Sequence, residues 1–300
     1  MNFVKKNSGA ILVILAGISW GLISIFIRHL DAAGYDTWDI MFFRSWVSVL
    51  MLLLYFLITG IGQLKIKLKD FWMFIGTGIF SLTFFSFCYF NSIIEVGTSI
   101  AVVLLYTSPI FVMIMSVIFF HEKFTRVKIL ALLITFLGCV LVTGIIGGRG
   151  ETKLTPLGIL MGLGAGFGYA LYSIFAGFAM KKYSSITINF YTFLLSGIAI
   201  LFIKNPVVLI TNTKPSMWIW IVGIAFICTV FPYLTYTAGM KKMEIGKAAV
   251  LVTVEPLVGA LIGIFAWKEP AGVLKIIGII AILSAVVILS IPQKTVLDKN

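Results

Sequence analysis

The sequence is short of charge. Only 11% of its 300 residues are Asp, Glu, Lys or Arg, against about 25% in an average soluble domain. With 60% hydrophobic residues and a mean hydropathy of +1.11, this excludes a soluble globular domain and reads as an integral membrane protein. Carboxylates are the scarcest charges, 11 against 23 Lys and Arg, for a net charge of +12. The cations lie in short clusters between apolar runs, the pattern of loops facing anionic lipid, so the lipid bilayer is an expected partner and nucleic acid is not. Both histidines, His29 and His121, stand at the ends of apolar runs, and none of the five aspartates lies deep in one. Zinc, serine and aspartyl chemistries inside a membrane need such groups deep in the spans, so the chain is not expected to be an enzyme. Gly246-Lys247 is followed by Ala248, and no phosphate-cradling loop ending in Gly-Lys-Ser/Thr occurs, which excludes direct ATP drive. The three cysteines, Cys88, Cys139 and Cys228, all fall inside apolar runs and read as packing residues. No cofactor and no metal site is expected.

What is present is a succession of apolar runs. The first, from Ala10 to Ile27 behind Lys5 and Lys6, outlasts a signal peptide and lacks its small-residue cleavage site, so it reads as a membrane helix. About 20 apolar residues cross the hydrocarbon. That criterion predicts ten spans, at 9–28, 38–59, 70–92, 97–120, 126–146, 156–179, 186–204, 216–239, 246–267 and 272–291. The boundary between the third and fourth is the least marked. Placing the N-terminus inside puts fifteen Lys and Arg in cytoplasmic segments and seven outside, with Arg44 within the second span. This asymmetry predicts two cytoplasmic termini and an even number of helices.

The two halves repeat. Gly17-Ile-Ser-Trp20-Gly-Leu-Ile-Ser24-Ile-Phe26 aligns with Gly166-Phe-Gly-Tyr169-Ala-Leu-Tyr-Ser173-Ile-Phe175, and Glu95-Val-Gly97 with Glu244-Ile-Gly246, both at an offset of 149. Pro109 with Pro256, Glu122 with Glu269 and Lys128 with Lys275 align at 147. Five spans per half, an odd number, turn the second half upside down. Inverted repeats of this kind are an architecture of secondary transporters, with the substrate near the midplane at the repeat interface. The expected organisation is therefore a five-helix repeat over 1–146, a connecting loop at 147–155, an inverted five-helix repeat over 156–291 and a cytoplasmic tail at 292–300.

The run EVGTSIAVVLLYTSPIFVMIMSVIFFHEKFTRVKILALLITFLGCVLV and its partner EIGKAAVLVTVEPLVGALIGIFAWKEPAGVLKIIGIIAILSAVVIL resemble the paired signature of the EamA family of the drug/metabolite transporter superfamily. The resemblance covers nearly the whole chain. It implies an all-α, ten-helix transporter of the cell membrane with both termini cytoplasmic. It also implies a central cavity walled by spans 1, 3, 4, 6, 8 and 9, with spans 5 and 10 stacked at one side. Members of the family mostly export amino acids and other small metabolites. The expectation is thus a secondary transporter, in the exporting direction, of small organic metabolites such as amino acids or amines, with protons as a candidate coupling partner. A passive channel and an importer of a cationic metabolite are the alternatives, and monomer and homodimer stay open.

Two residues put a full charge well inside a span, Arg44 and Glu255. A charge at the centre of a bilayer costs about 2.5–3.5 kcal/mol on insertion scales and is by default a functional hypothesis. Glu255 has three readings: a proton site, a counter-charge for an amino group on the substrate, or a structural carboxyl serving backbone loosened beside Pro256. Arg44 has two: a structural role, reaching the interface or a neighbour's carbonyls, or a fork for a substrate carboxylate. Pro109 and Pro256 occupy matching mid-span places. Each removes a hydrogen bond and clashes with the carbonyl four residues back, those of Leu105 and Val252. Interruptions at matching places in two halves are either packing kinks or pointers to a binding site. Gly17, Gly21 and Gly166 place small residues on single faces, as close helix contacts or hinges. Polar and aromatic residues of the presumed inner spans complete the candidate site: Trp20, Ser24, Asn91, Tyr106, Tyr169, Tyr172, Ser173, Tyr233, Tyr236 and Thr253. A tyrosine hydroxyl in a span needs a partner, which a bundle interior supplies and lipid does not.

Overall fold

The computed structural model describes residues 7–146, 154–270 and 272–290. Lys5, Lys6, Arg149, Lys153, the tail at 292–300 and most of the connecting loop at 147–155 lie outside the described residues. The chain is all-helical there. Eight helices are long and apolar enough to cross a membrane: α1 (Ser8–Ala32), α2 (Thr37–Thr59), α3 (Leu68–Val96), α4 (Thr98–Phe120), α6 (Pro156–Ala179), α8 (Pro215–Met240), α9 (Ile245–Phe265) and α10 (Val273–Ser290). The remaining two expected spans are α5 (Arg126–Val142) and α7 (Ser185–Leu201), each of 17 residues. At 1.5 Å per residue these reach about 26 Å, slightly less than a hydrocarbon core of roughly 30 Å. After α7 the chain bends by 96° into the short helix Pro206–Asn212.

Local chemistry sets the helix limits. Asp36 and Asp39 form a reciprocal capping box at the start of α2, and Thr125, Thr155 and Ser184 cap α5, α6 and α7. Each side-chain oxygen satisfies an amide that the first helical turn leaves unpaired. The third span ends at Val96, four residues beyond its expected limit of 92, because nothing opposes the helix until Gly97. There the backbone turns to φ +84°, which a glycine adopts without steric cost.

Packing partners are exchanged when the first five helices are swapped for the last five. α1 lies against α8 and α9, while α6 lies against α3 and α4. α2 packs on α7, and α5 on α10. The α5–α10 seam closes on Gly138 and Gly278, where a β-carbon at Gly278 would fall 2.7 Å from the carbonyl oxygen of Gly138. Matching irregularities recur: α3 is π-helical over Gly76–Thr83 and α8 over Phe226–Val230. α4 breaks at Tyr106 and Thr107, ahead of Pro109, and α9 at Val252 and Thr253, ahead of Pro256.

Those breaks explain the glycines. The carbonyls that Pro109 and Pro256 deprive of their helical donors belong to Leu105 and Val252. A β-carbon on Gly166 would lie 3.3 Å from the Leu105 oxygen and 2.9 Å from that of Leu104; one on Gly17 would lie 2.6 Å from the Val252 oxygen. The interrupted backbone is thus approached closely by the bare faces of α6 and α1, while the Val252 carbonyl keeps a tighter bond from the N–H of Glu255 at 3.0 Å. Gly17→Ala is expected to force α1 and α9 apart and to destabilise the protein by about 1–3 kcal/mol, the usual cost of overpacking. Gly259→Ala, whose added carbon meets nothing closer than 4.0 Å, is the near-neutral control. Thermal unfolding in detergent, compared across the two, tests this.

Candidate functional site

The breaks in α4 and α9 frame a cavity of about 270 Å³. Its walls are the second half of α1, the first turns of α2, the last third of α3, the start of α4, Tyr169 of α6, Tyr233 of α8 and Glu255 to Gly259 of α9. All of these lie on the side of the α1–α2 turn at Gly34, so the cavity occupies that half of the bundle. In the other half, toward the α4–α5 turn, α1 and α8 close on each other, with Gly239 of α8 against Val13 of α1 and Gly9 against Lys242, beside a surface groove lined by Glu122, Met240 and Glu244.

Glu255 and Arg44 share this cavity. Tyr169 donates its hydroxyl to Glu255 Oε2 at 3.2 Å. Arg44 Nε donates to Thr229 Oγ1 at 3.0 Å, and its Nη2 to the Cys228 carbonyl at 3.4 Å. Both acceptors lie in the π-helical stretch of α8, where the widened turn leaves backbone oxygens in need of donors. The guanidinium therefore holds α8 open while the rest of its five donors stay available to a ligand. The two charges make no direct ion pair among the described residues; the cavity lies between them. Ser24 adds a buried hydroxyl with no partner among the described residues on the cavity wall.

An aromatic floor separates the cavity from the closed half. Trp20 packs edge-on against Tyr233 and Tyr236, with ring centroids 5.1 and 5.5 Å away, and Tyr172 against Tyr233 at 4.9 Å. Edge-to-face pairs of this kind add about 0.5–1.5 kcal/mol each beyond their buried area. The floor's hydroxyls satisfy one another: Tyr172 donates to Asn189 Oδ1 at 2.6 Å and lies 2.7 Å from Thr237 Oγ1, and Ser173 meets Tyr236 at 2.9 Å. The bonds joining Tyr172, Asn189 and Thr237, and Ser173 with Tyr236, tie α6, α7 and α8 together beneath the cavity.

The candidate residues thus fall into three places. Trp20, Gly21, Ser24, Arg44, Tyr106, Tyr169, Tyr233, Glu255 and Pro256 line the cavity. Tyr172, Ser173 and Tyr236 belong to the floor, with Trp20, Tyr169 and Tyr233 shared between the two. The rest stand apart: Asn91 turns its amide back to the Phe87 carbonyl, 2.8 Å away, and Thr253 donates to Val250 inside the α9 break at 2.5 Å. Pro109 is buried behind the cavity wall, and Gly17 and Gly166 serve the helix contacts described above.

The resemblance left the second span out of the cavity, yet Thr37, Ile40, Met41 and Arg44 of α2 all line it. Their spacing of three, four and seven puts them on one helical face, a signal present in the sequence once Arg44 is taken as a face marker. Phe85 and Tyr89, four apart on α3, are further wall residues. Thr229 had no signal, since its role depends on the π-helical widening of α8.

Tyr169→Phe removes one neutral-to-charged hydrogen bond and little volume. The expected result is a several-fold weaker apparent substrate affinity with unchanged yield of folded protein, since such bonds contribute roughly 1.5–3 kcal/mol at most. Substrate-protection or counterflow titration against the parent protein measures it.

Comparison with known proteins places this geometry. The family model described as the EamA-like transporter family matches residues 7–144 and 156–291. An uncharacterized transporter of Archaeoglobus fulgidus is 29% identical over 93% of this chain and 95% of its own length. The uncharacterized transporter YxxF of Bacillus subtilis is 24% identical over 86% of this chain and 81% of its own. The pseudopaline exporter CntI of Pseudomonas aeruginosa is 25% identical over 45% of this chain and 46% of its own. A solved crystal structure superposes with a TM-score of 0.78 at 16% identity, covering 94% of this chain and 96% of the other, and shares the fold.

Proposed function

Because the chain belongs to the EamA-like transporter family and is therefore a multi-pass membrane transporter, we propose that it is a secondary exporter of small organic metabolites bearing an amino group. Amino acids and amines are the substrate class. It works by alternating access in the cell membrane, with both termini cytoplasmic and two inverted five-helix halves around the cavity. The observation that carries the reading is the placement of Glu255 and Arg44 in one aromatic-walled cavity between the broken helices α4 and α9. A carboxylate matches the ammonium of the substrate, the guanidinium fork matches a carboxylate where there is one, and ring faces suit the remainder of a cationic or amphipathic solute. About 270 Å³ is close to the lower end of ordinary small-molecule sites.

The closed aromatic floor favours alternating access over a pore, which needs a continuous path. The asymmetry of Lys and Arg supports the orientation, and the exporter among the relatives supports the direction. Glu255 is also the candidate proton carrier.

Counterflow in proteoliposomes tests the reading, with amino acids, primary and quaternary amines and neutral metabolites offered in parallel. Accumulation of an amine-bearing solute is expected, and its loss on adding a protonophore to gradient-driven uptake identifies proton coupling. Movement of neutral solutes alone, or of none, overturns it.

A further inference from the structure

The two ends of the bundle carry the same side-chain set in different states. His121 and Lys268, 147 residues apart, are the two non-glycine residues with positive φ among the described residues, at 55° and 54°. His121 caps the end of α4, Lys268 lies three residues beyond the end of α9, and each is followed by a glutamate. Glu122 donates its backbone N–H to Ser116 at 3.3 Å, and Glu269 donates its own to Gly263 at 2.9 Å, again 147 apart. The corners are therefore built alike, and both aim a carboxylate at the end of the bundle where they lie.

What the carboxylates do differs. Glu122 Oε1 accepts the N–H of Ile245 at 2.5 Å and its Oε2 that of Gly246 at 3.0 Å, clamping the start of α9. Lys128 completes the clamp, with Nζ 2.8 Å from Glu244 and 3.9 Å from Glu122. The Glu122 and Lys128 side chains are 10% and 5% exposed. This is the packed, closed end of the molecule. At the open end the counterparts of Ile245 and Gly246 are Val96 and Gly97, and those of Glu244 and Lys128 are Glu95 and Lys275. They are not clamped. Val96 is still inside helix α3, Gly97 donates to the Ile93 carbonyl at 2.9 Å, and Glu95 accepts the Thr155 hydroxyl at 2.8 Å. Glu269, 41% exposed, is held by Arg28 and Lys275, each at 3.1 Å.

The helix ends differ in the same sense. α8 stops at Met240, whereas α3 continues through Val96, beyond Asn91, which is the counterpart of Met240. The last turn of α3, Ser92–Val96, therefore occupies as helix what Lys241–Ile245 spends mostly as a turn. Unwinding that one turn frees the two amides that Glu269 lacks.

We propose that Glu122 and Glu269 are alternating latches of the transport cycle, each capping the helix across from it when its own end of the bundle is shut. In the opposite state Glu269 leaves Arg28 and accepts the N–H groups of Val96 and Gly97 as the last turn of α3 unwinds. Lys275 then turns to Glu95, while Glu122 releases α9. Both glutamates are positioning residues, for they touch helix ends and not the solute. The inference rests on the inverted-repeat, alternating-access reading above.

The test is maleimide labelling of the full-length protein in vesicles, with Ile27→Cys reporting the open cavity and Met240→Cys, 3% exposed in the parent, reporting the shut end. Rates are taken above the background of the three buried native cysteines. Glu122→Gln is expected to raise labelling of Met240→Cys roughly tenfold and to lower that of Ile27→Cys, as a charge-assisted pair of bonds is lost. Lys128→Gln shifts both the same way, by less. Glu269→Gln is expected to do the reverse, holding the cavity end open and slowing exchange, because the exposed pairs it loses in the present state stabilise little. A merely structural role moves both glutamine variants in one direction. That result, or unmoved labelling after Glu122→Gln, overturns the latches. Counterflow by the parent protein separates the failures: counterflow with unmoved reporters overturns the latches alone, and reciprocal labelling without counterflow overturns the transport reading alone.

Discussion

Glu255→Gln is expected to reduce gradient-driven substrate transport by roughly 30- to 100-fold while the protein still folds, the scale of a desolvated charge contact worth a few kcal/mol. Glutamine keeps the shape and still offers an oxygen to the Tyr169 hydroxyl, which lies 3.2 Å from the carboxylate in the parent. What it loses is the formal charge on the cavity wall. Two kinetic outcomes separate the functional roles. As counter-charge for an ammonium group, the substitution raises the half-saturating concentration of cationic and zwitterionic solutes far more than that of any neutral one. As a proton carrier, it leaves counterflow intact but abolishes the pH dependence and the protonophore sensitivity of gradient-driven transport. Counterflow and driven uptake, each measured from pH 5.5 to 8.5 on the same proteoliposomes, distinguish them. If rates and pH profiles all match the parent, the carboxyl has only a structural role.

Arg44→Met is expected to destabilise the folded protein by about 3 kcal/mol and to lower its yield in the membrane. Three losses add in one direction. The Cys228 carbonyl and the Thr229 hydroxyl lose a donor in a π-helical turn that has no spare one. Glu255 loses the cation that shares its low-dielectric cavity. Arg44→Lys keeps the charge but cannot reach both acceptors with one compact ammonium, so it should recover only part of the deficit. Combining Arg44→Met with Glu255→Gln should recover a further part, because the uncompensated carboxylate is then gone. Thermal unfolding of the four proteins in one detergent closes a double-mutant cycle. A purely additive double variant rules out electrostatic coupling across the cavity and leaves Arg44 as a brace for α8.

The two residues teach different lessons about legibility. Glu255 and Pro256 stand out in the sequence because a carboxylate beside a proline in an apolar run has no ordinary explanation, and the cavity is where the structure places them. Arg44 stands out for the same reason, but its surroundings do not. Its partners are 184 and 185 residues away, and the need for it shows in the sequence only as Pro232, which denies the Cys228 carbonyl four residues back its helical donor. Asn91 and Thr253 carry the same hydrophilic signal as Ser24, yet both spend it on their own helix. Sequence reports that a polar group is present in a span; the rotation of that span decides which way it points.

By itself the sequence determined the membrane class, the approximate place of the helices, the pairing of the halves and the identity of the two buried charges. Each of these follows from composition, run length or self-similarity, which are properties of the chain before it folds. Only the tertiary structure decided that α2 reaches the cavity, that Gly17 and Gly166 stand against the carbonyls at the two helix breaks, and that the cavity lies in one half of the bundle while α1 and α8 close on each other in the other. The physical reason is that nearly every residue of a spanning helix is apolar, so periodicity scarcely separates the face toward lipid from the face toward a neighbour. Close packing, and the demand of every broken backbone group for a partner in the absence of water, make that choice.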